Sequence, residues 1–320
     1  MQRAGRDRIG ASLILPTRNR ADVLRLSLPR FLDQTVAAGD YQIVVVDDAS
    51  QDDTARVVRA FSAPNLIYCR LEKRSSAPAA RNLALTLAEG RVLVFVDDDS
   101  LVRPDFLERH LAVHARHRRA VVSGPIVEVS KPPEERYPTS GMLLGRHFNP
   151  FPTGNASVER QLVVAAGGFD EDFQCYGWGD PELYFRLAGM GTRRYYDWRA
   201  PIYHYKPDSV RRDFFLNCRR EESRGANGAL FYAKHPQLAV GLQTKQLATI
   251  RRIDAILDRL LGLETRLNRA RESGLEPPSA FWKWLLLNHV EVSAGRRVWQ
   301  DLGPERRRDL AEKTRSSRYS

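Results

Sequence analysis

Residues Arg91–Ser100 read RVLVFVDDDS: five apolar residues, Val92–Val96, run straight into three adjacent carboxylates, Asp97, Asp98 and Asp99. An apolar run of this length, β-branched and aromatic, reads as a strand buried on both faces. Three like charges at its end repel one another, so positive charge is expected there. Hard cations such as Mg²⁺ and Mn²⁺ take oxygen ligands and fit this need. Alternate side chains of a strand point to opposite faces. Asp97 and Asp99 would therefore act together, and Asp98 would shape the turn from the other face.

The same pattern recurs on both sides of this stretch. SLILP (12–16), YQIVVVDD (41–48), NLIYCRL (65–71) and AVVSGPIVEVS (120–130) read as further strands. Between them, residues 21–35, 52–61, 75–90 and 104–117 carry helical spacing or helix-start residues such as Ser76 and Pro78. Strands alternating with helices predict an α/β domain with a mostly parallel sheet. Ligands of such sheets lie beyond the carboxyl ends of the strands. PTRNR (16–20), Asp47-Asp48 and Asp97–Asp99 all fall at such ends.

From about Lys131 to Pro152 the pattern breaks into a Pro- and Gly-rich loop. Order returns at NASVERQLVVAAGGFDEDF (155–173), then at a helix opened by GWGDPE (177–182), at the strand RRYYDW and at the segment PIYHYKP. Beyond Ser209 the chain reads as helical, with a break at GLEPPS (274–279) and a polar end, 305–320, expected to fray. The expected domains are 1–208, with a nucleotide half of about 11–127 and an acceptor half of about 128–208, and a helical region over 209–320.

Composition narrows the function classes. The chain has 320 residues, 42% hydrophobic, and no apolar run near the ~18 residues of a membrane span. MQRAGRDRIG at the start lacks the apolar centre of a signal peptide. Cys69, Cys175 and Cys218 are odd in number and far apart, which suits reduced thiols and a cytoplasmic location. Net charge is +11, and residues 206–320 carry 23 basic against 14 acidic side chains, +9 of that total. A basic tail suits an acidic partner or an anionic membrane. Trp282, Trp284 and Leu285–Leu287 beside Lys283 suit peripheral contact with the inner membrane face, or packing onto the catalytic domain or a second subunit of a homodimer. There is no Gly-x-Gly-x-x-Gly and no Gly-Lys-Ser/Thr loop, so a nucleotide would be held by carboxylates and metal.

LILPTRNR, IVVVDDASQDDT, APAARNLAL, VLVFVDDDS, GGFDEDF and GWGDPELYFRL, in this order across about residues 11–207, resemble the inverting family 2 glycosyltransferases. The resemblance implies a GT-A fold: a Rossmann-like, mixed but mostly parallel sheet flanked by helices, here with a helical C-terminal extension. It implies that Pro16, Thr17 and Arg18 lie along the nucleotide and that Asp48 reads the uracil or ribose region. It places Arg81 and Asn82 near the donor and Asn155 near donor and acceptor. Asp97–Asp99 match the Asp-x-Asp motif, with Asp97 on the ribose, Asp98 beside it and Asp99 on Mn²⁺ or Mg²⁺. His204 completes the metal shell in several relatives. Asp180 matches the catalytic carboxylate, with Trp178 fixing its geometry. One departure stands out: the usual acidic pair is Gly179-Asp180 here, so Glu182 is the fallback base.

The implied activity is metal-dependent transfer of a hexose, with inversion, from a nucleotide-diphospho-sugar, a UDP-sugar in the first instance. The acceptor is a hydroxyl of a glycan, a lipid-linked glycan or a small molecule; nucleic acid is not an expected partner. Two other readings stay open at this stage. One is a nucleotide-sugar-binding module without chemistry, given the missing acid. The other is a nucleotidyltransferase, which would leave GWGDPE unexplained.

Overall fold

The computed structural model describes residues 9–133, 149–206 and 213–316. Most of the expected loop, 134–148, lies outside the described residues. By internal contacts the chain forms two units: Met1–Gln174 with Asp180–Arg211, and Cys175–Gly179 with Arg212–Ser320.

The first unit is built on a seven-stranded sheet of order β3-β2-β1-β4-β8-β6-β9. Its strands are β1 (Ala11–Thr17), β2 (Tyr41–Asp47), β3 (Leu66–Arg70), β4 (Val92–Val96), β6 (Ala120–Ser123), β8 (Asn155–Glu159) and β9 (Arg193–Tyr196). β1 to β4 pair in parallel, and β8 is antiparallel to both β4 and β6. The continuous apolar runs serve two cores at once. Val92, Val94 and Val96 enter one cluster with Leu13, Leu15 and Val45; Leu93 and Phe95 enter the other with Ile14 and Val44. That two-sided burial is why these strands do not alternate with polar residues. Helices α1 (Ala21–Leu32), α2 (Thr54–Arg59), α3 (Ala77–Leu87), α4 (Phe106–Arg116), α5 (Arg160–Ala165) and α6 (Gly179–Gly189) connect the strands. Ser76 caps α3 by accepting from the Ala79 amide, and Pro78 sits in its first turn.

A second sheet, β5-β10-β7, places the metal-type side chains. It comprises β5 (Ser100–Val102), β7 (Ile126–Val129) and β10 (Ile202–Tyr205). Here the structure corrects the reading of AVVSGPIVEVS as one strand. It is two strands in different sheets, broken at Gly124-Pro125. A Cβ at Gly124 would stand 2.0 Å from the Ala200 carbonyl oxygen, so the chain turns where only glycine fits.

The second unit is helical: α7 (Phe214–Lys234), α8 (Leu238–Gln243), α9 (Ala248–Leu261), α10 (Leu263–Ser273) and α11 (Ala280–Ser316). Its core holds Phe214, Cys218, Leu263, Leu267, Leu285, Leu286 and Val290. Of the polar end 305–320, residues 317–320 lie outside the described residues. Helix continues to Ser316 after a break at Gly303, φ 61° and ψ 167°, next to Pro304.

Candidate active site

The end of β4 gathers the candidate residues. After Val96 the chain turns through Asp97–Asp99 and re-enters a strand at Ser100. β5 pairs antiparallel with β10, His204 lying opposite Ser100, and the Tyr205 amide donates to the Asp99 carbonyl at 2.9 Å. This pairing carries His204 Nε2 to 2.5 Å from Asp99 Oδ1 and 3.9 Å from Asp97 Oδ2. Ligand atoms of Asp97, Asp99 and His204 all lie within 4.8 Å of one another.

Two carboxylates and an imidazole at that spacing fit a Mn²⁺- or Mg²⁺-type cation. Asp99 Oδ1 adds to the fit: it is buried and, among the described residues, accepts no well-formed hydrogen bond despite the nearby imidazole. Asp97 therefore belongs to the same cluster as Asp99. Desolvation pushes the Asp97 carboxyl above the usual range, against the opposing pull of Arg81 and His204. A Cβ at Gly154 would stand 2.7 Å from Asp97 Oδ2, so a side chain there would make this carboxylate shift.

Asp98 points elsewhere. Its Oδ2 accepts from Thr17 Oγ1 at 2.8 Å and its Oδ1 lies 3.8 Å from Arg20 Nε. Burial raises its pKa to about 7, with Arg20 opposing. Asp98 thus ties the end of β4 to the end of β1. Thr17 makes that bond, Pro16 precedes it in β1, and the Arg18 Nε is buried with no hydrogen-bond partner among the described residues. Asp48 accepts from the amide and hydroxyl of Ser75, at 2.6 and 3.1 Å.

Arg81 of α3 joins the two acidic centres. Its guanidinium is 3.8 Å from Asp97 Oδ1 and 3.9 Å from Asp180 Oδ1, and it lies 5.5 Å over the Phe169 ring. One cation between two carboxylates offsets their repulsion. Asp180, in the first turn of α6, also accepts from Thr153 Oγ1 at 2.7 Å. Thr153 was missed in the sequence; its position in PTGN, inside a Pro- and Gly-rich loop, carries no helical or strand signal.

Other candidate side chains have partners of their own. Glu182 is buried, and Arg186 grips it through contacts of 2.7, 2.9 and 3.1 Å. Asn82 accepts from the Phe169 amide at 2.8 Å and donates to the Phe169 carbonyl and to Glu171 Oε1, each at 2.8 Å. Asn155 is fully buried: it donates to the carbonyls of Pro125 and Ala200, both at 2.9 Å, and its Oδ1 meets His110 Nε2 at 3.1 Å. It thereby fixes the turns on either side of the small sheet that carries His204. Trp178 belongs to the second unit, where its ring packs on Phe231 and under Arg224. In that unit Asn227 Nδ2 also donates to the carbonyls of Cys175 and Gly177, at 2.8 and 3.0 Å.

Residues 12–170 match the family model of glycosyl transferase family 2. Validoxylamine A glucosyltransferase of Streptomyces hygroscopicus subsp. jinggangensis is 31% identical over 269 residues, which cover 71% of this chain and 61% of that protein. The chain thus spans about three fifths of that relative's length. An uncharacterized glycosyltransferase of Bacillus subtilis is 26% identical over 285 residues, 70% of each chain. Among solved structures, a mannosyltransferase of Pyrobaculum calidifontis, in complex with GDP-Man and Mn²⁺, superposes with a TM-score of 0.60. It is 20% identical and covers 92% of this chain and 88% of its own. Residues 1–349 of Staphylococcus aureus TarS give 0.53 at 18% identity, covering 92% of both chains. These likenesses establish the fold as GT-A.

Proposed function

The chain carries a glycosyl transferase family 2 domain over residues 12–170, and from that premise we propose that it is a metal-dependent, inverting glycosyltransferase with Asp180 as its base. The observation that carries this reading is Arg81, placed between Asp97 of the metal-type cluster and Asp180. One side chain links the place for a diphosphate's cation to a carboxylate suited to proton transfer.

A divalent cation held by Asp97, Asp99 and His204 would supply Lewis-acid neutralisation of the departing diphosphate. Asp180 takes the proton of the acceptor hydroxyl as that oxygen attacks the anomeric carbon, and the bond from that carbon to the diphosphate oxygen breaks. The nucleoside diphosphate leaves with the electron pair. One in-line displacement gives a β-linked product from an α-linked donor. Thr153 holds the Asp180 carboxylate in one orientation, and Arg81 balances its charge. Glu182 is tied to Arg186, so Asp180 is preferred as base.

The donor is a nucleotide-diphospho-sugar. UDP-sugars are screened first beside GDP- and dTDP-sugars, because TarS has been solved with UDP-GlcNAc and the mannosyltransferase with GDP-Man. Acceptors to test are glycans, lipid-linked glycans and small molecules, validoxylamine A among them. The test is nucleoside diphosphate release with Mn²⁺, followed by NMR of the product's anomeric centre. Release that depends on acceptor, with inverted configuration, supports the reading; retained configuration rejects the single displacement. Donor binding without release across the acceptor panel would favour a binding module, and pyrophosphate release from a nucleoside triphosphate would favour a nucleotidyltransferase.

A further inference from the structure

The helical unit presents an apolar stripe that its own core does not use. On α9, Ile253, Ile256 and Leu260 are 57%, 58% and 73% exposed and lie on one face by their spacing. The other side of α9 is packed: Asp254 is buried against His289 at 2.9 Å, and Arg251 lies 4.7 Å over the Trp299 ring. The start of α11 adds two large exposed rings, Phe281 and Trp284. Arg266 of α10 bridges the end of α9 and the start of α11, donating to the Leu261 carbonyl at 2.9 Å while lying 4.4 Å over the Trp282 ring. Beside it is a cleft of about 240 Å³ with Leu275, Pro277, Trp282 and Leu286 in its wall and Arg266 and Arg269 at its edge.

The charges around this stripe are in basic excess. Asp254 and Glu264 face His289, Asp258 accepts from the Glu264 amide, and Glu276 pairs with Lys283. Arg252, Arg259 and Arg269 make no ion pair among the described residues. These four acids are engaged inside the unit, while Glu272 of α10 is exposed; the three guanidinium groups without an acidic partner outnumber it on α10 and on α9, which carries the exposed isoleucines and leucine.

We propose that this face of the helical unit docks on an anionic lipid surface. Ile253, Ile256, Leu260, Phe281 and Trp284 enter the interface between headgroups and acyl chains, while Arg252, Arg259 and Arg269 meet lipid phosphates. The sequence pointed to Trp282–Leu287 for such contact. Leu285 and Leu286 are core residues instead, and the available surface is α9 with two rings of α11. The inference stands on the second unit alone and is independent of the transferase chemistry.

Flotation of the full chain with vesicles of phosphatidylcholine, with and without phosphatidylglycerol, tests it. Binding is expected only with phosphatidylglycerol, and it weakens as salt is raised. Arg252→Gln with Arg259→Gln lowers partitioning about 30-fold, at about a decade per 1.4 kcal/mol and roughly 1 kcal/mol per arginine. Ile256→Ser with Leu260→Ser abolishes flotation at low salt while leaving the thermal midpoint near wild type, since both side chains are exposed. The proposal is overturned if the wild type fails to float with phosphatidylglycerol at low salt, or if the serine variant floats like the wild type. It is also overturned if the wild type self-associates in sedimentation velocity without floating and the serine variant is monomeric; the stripe is then an interface between copies.

Discussion

Thr153 Oγ1 donates a 2.7 Å hydrogen bond to Oδ2 of Asp180. The bond joins a loop residue before β8 to the first turn of α6, and leaves Asp180 Oδ1 on the side of Arg81. A carboxylate that must take a proton from one direction needs such a tether, because misplacement of a reacting group by about 1 Å costs roughly 100-fold in rate.

Thr153→Val keeps the shape of the side chain and removes the donor. Loss of a hydrogen bond to a charged group is worth about 1.5–3 kcal/mol. We expect kcat to fall about tenfold or more while KM for the donor stays near wild type. Steady-state kinetics with the donor varied checks this; a changed donor KM with unchanged kcat would place Thr153 in donor binding instead.

Asp99→Asn and His204→Gln each weaken Mn²⁺ binding by about tenfold or more, by analogy with the sensitivity of metal sites to their surrounding ligands. Asp98→Asn leaves Mn²⁺ affinity near wild type, because Asp98 is bonded to Thr17 and faces Arg20. Calorimetric titration of each variant with Mn²⁺ reads this. A larger loss for Asp98→Asn than for Asp99→Asn would reverse the assignment of faces.

Asn82→Ala removes three hydrogen bonds around Phe169 and Glu171. It should cost stability, about 2–4 kcal/mol, through the stranded Phe169 amide and carbonyl. Urea unfolding measures the loss. Unchanged stability together with lost donor binding would make Asn82 a donor contact instead.

The first unit should weaken in mild acid. His110 and His114 share the Ser157 hydroxyl at 2.8 and 2.9 Å, and burial lowers their pKa values to about 4 and about 3. The unfolded chain takes up protons near pH 6.5, the folded chain only well below it. Stability is therefore complete above pH 6.5 and is lost as pH falls toward 4 and 3. Between pH 7.5 and 5 the loss is about 2–4 kcal/mol for the pair. Urea midpoints at the two pH values check it; equal stability would contradict the buried neutral state.

Much of the seven-stranded sheet was legible because its signals are local. Val92–Val96 and Ile43–Val46 are apolar enough to declare burial, and carboxylates at their ends mark the rim of the sheet. The convergence of Asp99 with His204 was not legible from pattern: it depends on the β5–β10 pairing across about a hundred residues. The partners of Asn155, Asn82 and Glu182 were not legible either: remote backbone groups with His110 or Glu171 for the two asparagines, and an arginine one turn on for Glu182. The split at Gly124 was hidden because the nearby Ala200 carbonyl that forbids a side chain is remote in sequence.

The central claim is that Asp180 is the base of a transferase whose donor site lies at Asp97 and Asp99. The direct measurement is Asp180→Asn, with single-turnover transfer and calorimetric donor binding recorded on the same preparation in Mn²⁺. The account predicts donor affinity near wild type and transfer reduced by about 10²–10⁴-fold, the usual range for removing a general base. Transfer at near-wild-type rate in Asp180→Asn would contradict it.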